Sequence, residues 1–183
     1  MEVKMKIFLM ATILIFSKIS IAETLSGKYE LKESKIDYLV KYLIKKADGE
    51  STKAQGKGEC SKEKCEFLVA APIKTFESKD SNRDLNMLTT TKADKFPLVV
   101  AKIVSSPVVN DGKILLDLEI DFVGVKKHYE KVPFTAKISG DLLNVEGHFD
   151  LMLDEHKVEK PSLLGVNIEK LVPISITASW KKN

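Results

Sequence analysis

Few side chains in this chain are suited to chemistry: two cysteines, three histidines, one arginine and a set of carboxylates. Cys60 and Cys65 flank Ser61-Lys62-Glu63-Lys64, a polar stretch between two strand-like segments. In an oxidising compartment that spacing suits a disulfide across a hairpin turn. A metal site needs more ligands than two thiols and finds no His or Cys nearby in sequence. A redox-active pair would favour Cys-x-x-Cys spacing, which these residues lack.

His148, Asp150, Asp154 and His156 share one parity, which on a strand would present imidazoles and carboxylates together as metal ligands. That side is opposite the one carrying Phe149, Leu151 and Leu153, so it is expected to face solvent, and no metal is assigned. His128, beside Tyr129 near a turn, has no visible partner. Arg83-Asp84 reads as a structural salt bridge or a link from a helix to the rim of the fold. Alternatively, a guanidinium at the mouth of an apolar cavity could hold a ligand's carbonyl, amide or phosphate.

Nucleophilic catalysis needs a Ser or Cys beside a base, and no Gly-x-Ser-x-Gly elbow occurs. Glycosidase chemistry needs two carboxylates across a cleft, whereas Asp117, Glu119 and Asp121 alternate with apolar residues and fall on a wet face. No catalytic residue or cofactor is assigned, and the sequence reads as a binding protein rather than an enzyme.

The elements that would position a binding site show period-two alternation. Ile36, Tyr38, Val40, Tyr42 and Ile44 share one face of a first long strand. Ile114, Leu116, Leu118, Ile120 and Phe122 share another, as do Val132, Phe134, Ala136 and Ile138. The pattern returns in Leu143, Val145, Phe149, Leu151 and Leu153, and in Val172, Ile174, Ile176, Ala178 and Trp180. Turn signals stand between runs at Asp48-Gly49, Asn110-Asp111-Gly112, Val123-Gly124 and Ser139-Gly140-Asp141. Short links between one-sided strands imply an antiparallel meander. Closing it on itself covers the apolar face and removes the edges, and about eight strands is the size at which a barrel holds one ligand. A two-sheet sandwich gives much the same pattern. Residues 81–93 break the rhythm and read as a short helix capped by Asp80 or Ser81, its apolar members either plugging a barrel end or packing outside.

Lys4 and Lys6, the apolar run Ile7 to Phe16 and the small residues of Ser20-Ile21-Ala22 read as a secretory signal peptide, residues 1–22, cut after Ala22. The run is about half the ~20 residues of a membrane span, so the mature domain, residues 23–183, is expected to be periplasmic or secreted and not membrane-spanning. Removing residues 1–22 leaves 26 basic against 25 acidic residues, and only Arg83 among them is arginine. With no basic cluster to neutralise phosphates, nucleic acid is excluded as a partner. The oligomeric state is left open, a dimer included.

Several segments together resemble the YceI-like family of exported bacterial proteins: Ser34 to Tyr42 (SKIDYLVKY), Lys74 to Met87 (KTFESKDSNRDLNM), Asp94 to Ala101 (DKFPLVVA), Leu118 to Lys126 (LEIDFVGVK) and Pro161 to Ile168 (PSLLGVNI). The resemblance implies a lipocalin-like eight-stranded antiparallel barrel and an apolar ligand, a polyisoprenoid or similar lipid, in its cavity. By inward parity Val40, Tyr42, Leu118, Ile120, Phe134, Phe149 and Ile176 are expected to line it, with Arg83 and Asp84 at the rim. Tyr42 and Asn86 stand at or near positions where the family often has His, which implies a different head group, and the Cys60/Cys65 pair is not a general family feature.

Overall fold

The computed structural model describes residues 22–42, 45–159, 162–163 and 166–183. The signal-peptide reading therefore falls outside the described residues apart from Ala22, as does Ile44. In chain order the first strands are β1 (Ala22–Thr24), β2 (Gly27–Tyr42), β3 (Lys45–Ser51), β4 (Gln55–Cys60), β5 (Cys65–Pro72), β6 (Leu98–Ser105) and β7 (Val108–Asn110). They are followed by β8 (Lys113–Phe122), β9 (Val125–Ser139), β10 (Leu142–Met152), β11 (Ser162–Leu163), β12 (Val166–Asn167) and β13 (Leu171–Lys182). A 3-10 turn, Ile73–Thr75, and the helix α1, Ser81–Thr90, lie between β5 and β6.

Eight staves close into an antiparallel barrel in the order β2, β4, β5, β6, β8, β9, β10, β13 and back to β2. β3 pairs with the second half of β2 and β4 with its first residues, so the two share one stave. The alternation of β8 shows why the sheet curls: Ile114, Leu116, Leu118, Ile120 and Phe122 are all buried, while Leu115 and Asp117 between them are exposed. Tight hairpin turns use residues at positive φ, Asp111 and Gly112 (49° and 70°), Val123 and Gly124 (53° and 72°), and Gly140 (62°), as the right-handed twist of the flanking strands requires.

Two bulges reset the inward parity. On β2 the register passes from Glu33 to Leu31 while β13 advances one residue, so Tyr29 and Leu31 point inward below Lys32 and Ser34, Ile36, Tyr38 and Val40 above it. On β9 the extra residue falls between Tyr129 and Val132, where Lys131 has φ 52° and its amide donates to Asp117 at 2.8 Å.

One end of the barrel is plugged by Leu25, Tyr29, Phe67, Leu143 and Trp180, all buried, with the Trp180 and Phe67 rings edge-on at 4.9 Å. The Cys60–Cys65 disulfide joins β4 to β5 there, directly across the hairpin, as the spacing predicts. At the other end sits α1. Its N-cap is Asp80, whose carboxylate accepts from the Asn82 and Arg83 amides at 3.1 Å each. The helix ends at Thr90, short of the expected 93, and no residue in it is fully buried.

The turn expected at Asp48-Gly49 is not one: both residues lie inside β3. Gly49 stands opposite Tyr38, whose ring occupies the space a Cβ at 49 would take. The glycine makes room for an aromatic ring instead of reversing the chain.

Candidate functional site

Between the plugged end and the helix the inward rows are not uniformly packed. Val40 and Tyr38 on β2, Ile174 on β13, Phe149 on β10, Tyr129 on β9, Val69 on β5 and Ala101 on β6 are half-buried. Above them Phe122, Leu151, Val172 and Ile73 are buried, as is the plug below. Side chains pointing into a close-packed core are covered along their length. This middle layer keeps accessible apolar surface between two closed ends.

Of the residues expected to line a cavity, Val40, Phe149 and Ile176 are inward and half-buried, whereas Leu118, Ile120 and Phe134 are inward and fully buried. Tyr42 pairs with Lys45 at the end of β2, but its side chain lies outside the described residues. Phe134 packs across Gly147, Phe67 across Gly58 and Trp180 across Gly56, so aromatic rings fill part of the interior where the neighbouring strand has no side chain.

The middle layer also carries polar groups. Tyr38 has a half-buried ring 6.0 Å from that of Phe76, and burial pushes its phenol pKa up. Lys127 pairs with Ile120 and so shares the inward row of β9. A lysine therefore stands on an inward row.

Arg83 and Asp84 do not pair with each other. The Arg83 guanidinium donates to the Ser78 carbonyl at 3.1 Å and lies 3.5 Å from Asp80. The Asp84 carboxylate accepts from the Ser78 amide at 2.9 Å and its hydroxyl at 2.6 Å. Both side chains fasten the segment entering α1 to the helix itself.

His148 and Asp150 are exposed, as expected, but His156 is not: it is fully buried. β10 ends at Met152 and the chain turns, so strand parity no longer applies four residues later. His128 does have a neighbour, with Nε2 3.3 Å from Glu119. Among the described residues no three His, Cys, Asp or Glu gather as metal ligands.

His156 stands at a seam. β9 and β10 are laddered from their hairpin only as far as Phe134 and Gly147. Beyond that row β9 runs on along β8 to Val125, and β10 along β13 to Met152, unpaired with each other. Side chains bridge the gap. His156 Nδ1 lies 3.0 Å from the Val125 carbonyl, which only accepts, so Nδ1 carries the hydrogen and Nε2 accepts from the Tyr129 hydroxyl at 3.2 Å. The Tyr129 and Phe149 rings meet at 5.4 Å.

A partly open cavity of about 810 Å³ follows a row of small residues, Ala136, Val145, Ala178 and Ser34, that runs across β9, β10, β13 and β2. The polar rows on either side of it, with Lys137, Glu146 and Glu33 among them, also border the cavity. No helix among the described residues is long and apolar enough to cross a membrane.

No family model matches the chain, and neither does any curated protein. Solved structures do. BcnA of Burkholderia cenocepacia aligns with a TM-score of 0.67 at 15% identity over 80% of this chain and 95% of its own. A polyisoprenoid binding domain from Saccharophagus degradans, implicated in plant cell wall breakdown, aligns with a TM-score of 0.71 at 12% identity over 85% of this chain and 98% of its own. A Campylobacter jejuni YceI protein covers 97% of this chain at 10% identity, with a TM-score of 0.49 that adds no weight. The fold shared with the first two is the lipocalin-like eight-stranded antiparallel barrel that the YceI-like resemblance implied.

Proposed function

We propose that this barrel binds an apolar small molecule, a lipid-like chain such as an isoprenoid quinone or polyprenyl compound, as an exported binding or carrier protein and not as an enzyme. The half-buried apolar layer around Val40, Ile174, Phe149 and Tyr129, held between two buried ends, carries this reading. Burial of hydrocarbon there supplies about 0.8 kcal/mol per CH₂ without directional contacts. A solved domain of the same fold is described as polyisoprenoid-binding, which supports the ligand class. The Cys60–Cys65 disulfide suits an oxidising compartment, the periplasm or the exterior, as the leader reading requires.

Titrating delipidated protein with prenyl alcohols of rising length tests this. Affinity should climb with length and then level off when the space is full. Binding governed by head group alone would overturn the reading.

A second reading has its own observation. Phe134, Phe67 and Trp180 lie across Gly147, Gly58 and Gly56, and a barrel filled this way could serve as a structural protein with no ligand. It gives no binding across the whole series.

A further inference from the structure

We propose that the unpaired seam between β9 and β10 is the entrance of the barrel, and that His156 is its latch. The proposal rests on the ligand reading above for the entrance, and on geometry alone for the latch. Everywhere along the seam beyond Phe134 and Gly147 the two strands lack the backbone ladder that would make separation costly. Opening them needs only side-chain contacts to break, and it leads straight to the half-buried layer of Tyr129 and Phe149.

The latch is a relay across that gap: Tyr129 hydroxyl to His156 Nε2, His156 Nδ1–H to the Val125 carbonyl. The relay uses the neutral imidazole, with Nε2 as the acceptor. A second proton on Nε2 would make both ring nitrogens donors, and the Tyr129 hydroxyl hydrogen would lose its acceptor. The ring has nowhere to shed the charge, being fully buried and packed edge-on to Phe122 at 5.6 Å. Glu155 on the same loop favours the cation and Lys127 on β9 opposes it, while Tyr129 and the Phe122 and Val125 carbonyls also face the ring.

Burial holds the closed-state pKa of His156 below its usual 6.5. In the open state the ring is hydrated and returns towards that value. The open state therefore binds more protons as pH falls below about 6.5, and the closed seam loses stability in that direction. Each unit of depression is worth a factor of ten in the opening equilibrium.

Hydrogen exchange on the whole disulfide-bonded protein at about pH 7.5 and about pH 5, corrected for intrinsic rates, reads this without any ligand. Peptides spanning 125–131 and 148–158 should lose protection on acidification, on the order of tenfold per unit of depression, while the hairpin at 60–65 should not. His156→Phe should abolish the pH response, and Tyr129→Phe, which keeps the ring, should loosen the seam at neutral pH. Unchanged seam protection in the parent protein, or a surviving response in His156→Phe, would overturn the latch. Release of the apolar dye N-phenyl-1-naphthylamine should quicken together with seam opening. Dye that binds but leaves at one rate at both pH values would overturn the entrance. Dye that never binds would instead overturn the ligand reading, and exchange would still decide the latch.

Discussion

Phe134 and Gly147 face each other directly across β9 and β10, and the phenyl ring fills the space where a Cβ at 147 would stand. This is the last laddered pair before the strands part. Gly147→Ala forces the buried ring to move, so it should cost about 1–3 kcal/mol in urea unfolding. Phe134→Ala should cost about 3–5 kcal/mol. If the alanine at 147 were neutral, the ring would not be wedged there.

The disulfide closes a very small loop, and both cysteines are buried at the plugged end. Replacing the pair with serines should lower stability by about 2 kcal/mol, the low end for a disulfide. Intact mass with and without reduction shows whether the bond forms, and denaturant unfolding of the variant gives its worth.

Leu118 and Glu119 are adjacent on β8 yet lie on opposite sides of the barrel wall, the first buried in the core and the second bonded to Lys126 at 3.2 Å, which lowers its carboxyl pKa. Leu118→Asp places a charge in the core and should leave no cooperative unfolding transition. Glu119→Lys exchanges a surface pair and should shift stability by less than about 1 kcal/mol. Equal effects from the two changes would reverse the inside and outside of the barrel.

Asp80 caps α1 through two amides, and no residue of the helix is fully buried. Asp80→Ala should cost about 1 kcal/mol, and the cost should appear locally. Faster amide exchange in 81–90, with the barrel strands unchanged, is the expected result.

The staves were legible because β8, β10 and β13 carry one wet face and one dry face, which only a closed or covered sheet satisfies. The bulges at Lys32 and Lys131 were not legible, since nothing in either sequence marks the extra residue except the parity it shifts. Gly49 looked like a turn because glycine permits one, yet its role is set by Tyr38 on the facing strand. Strand parity extended past Met152 puts His156 in solvent, and no Gly or Pro there announces the turn that buries it. The seam itself is the absence of a pairing, and periodicity reports the faces of a strand without saying where its neighbour leaves it.

β2, the first long stave, pairs along much of its length with β13, the last. These two strands are far apart in the chain, so the final seam closes only after a large loop entropy has been met. Such topologies fold slowly, on the millisecond-to-second scale, because distant partners must find each other. Until β13 arrives, β2 and β10 each present an open edge. Pairing with the wrong strand is the hazard of that interval, and it ends only when β13 fills the gap.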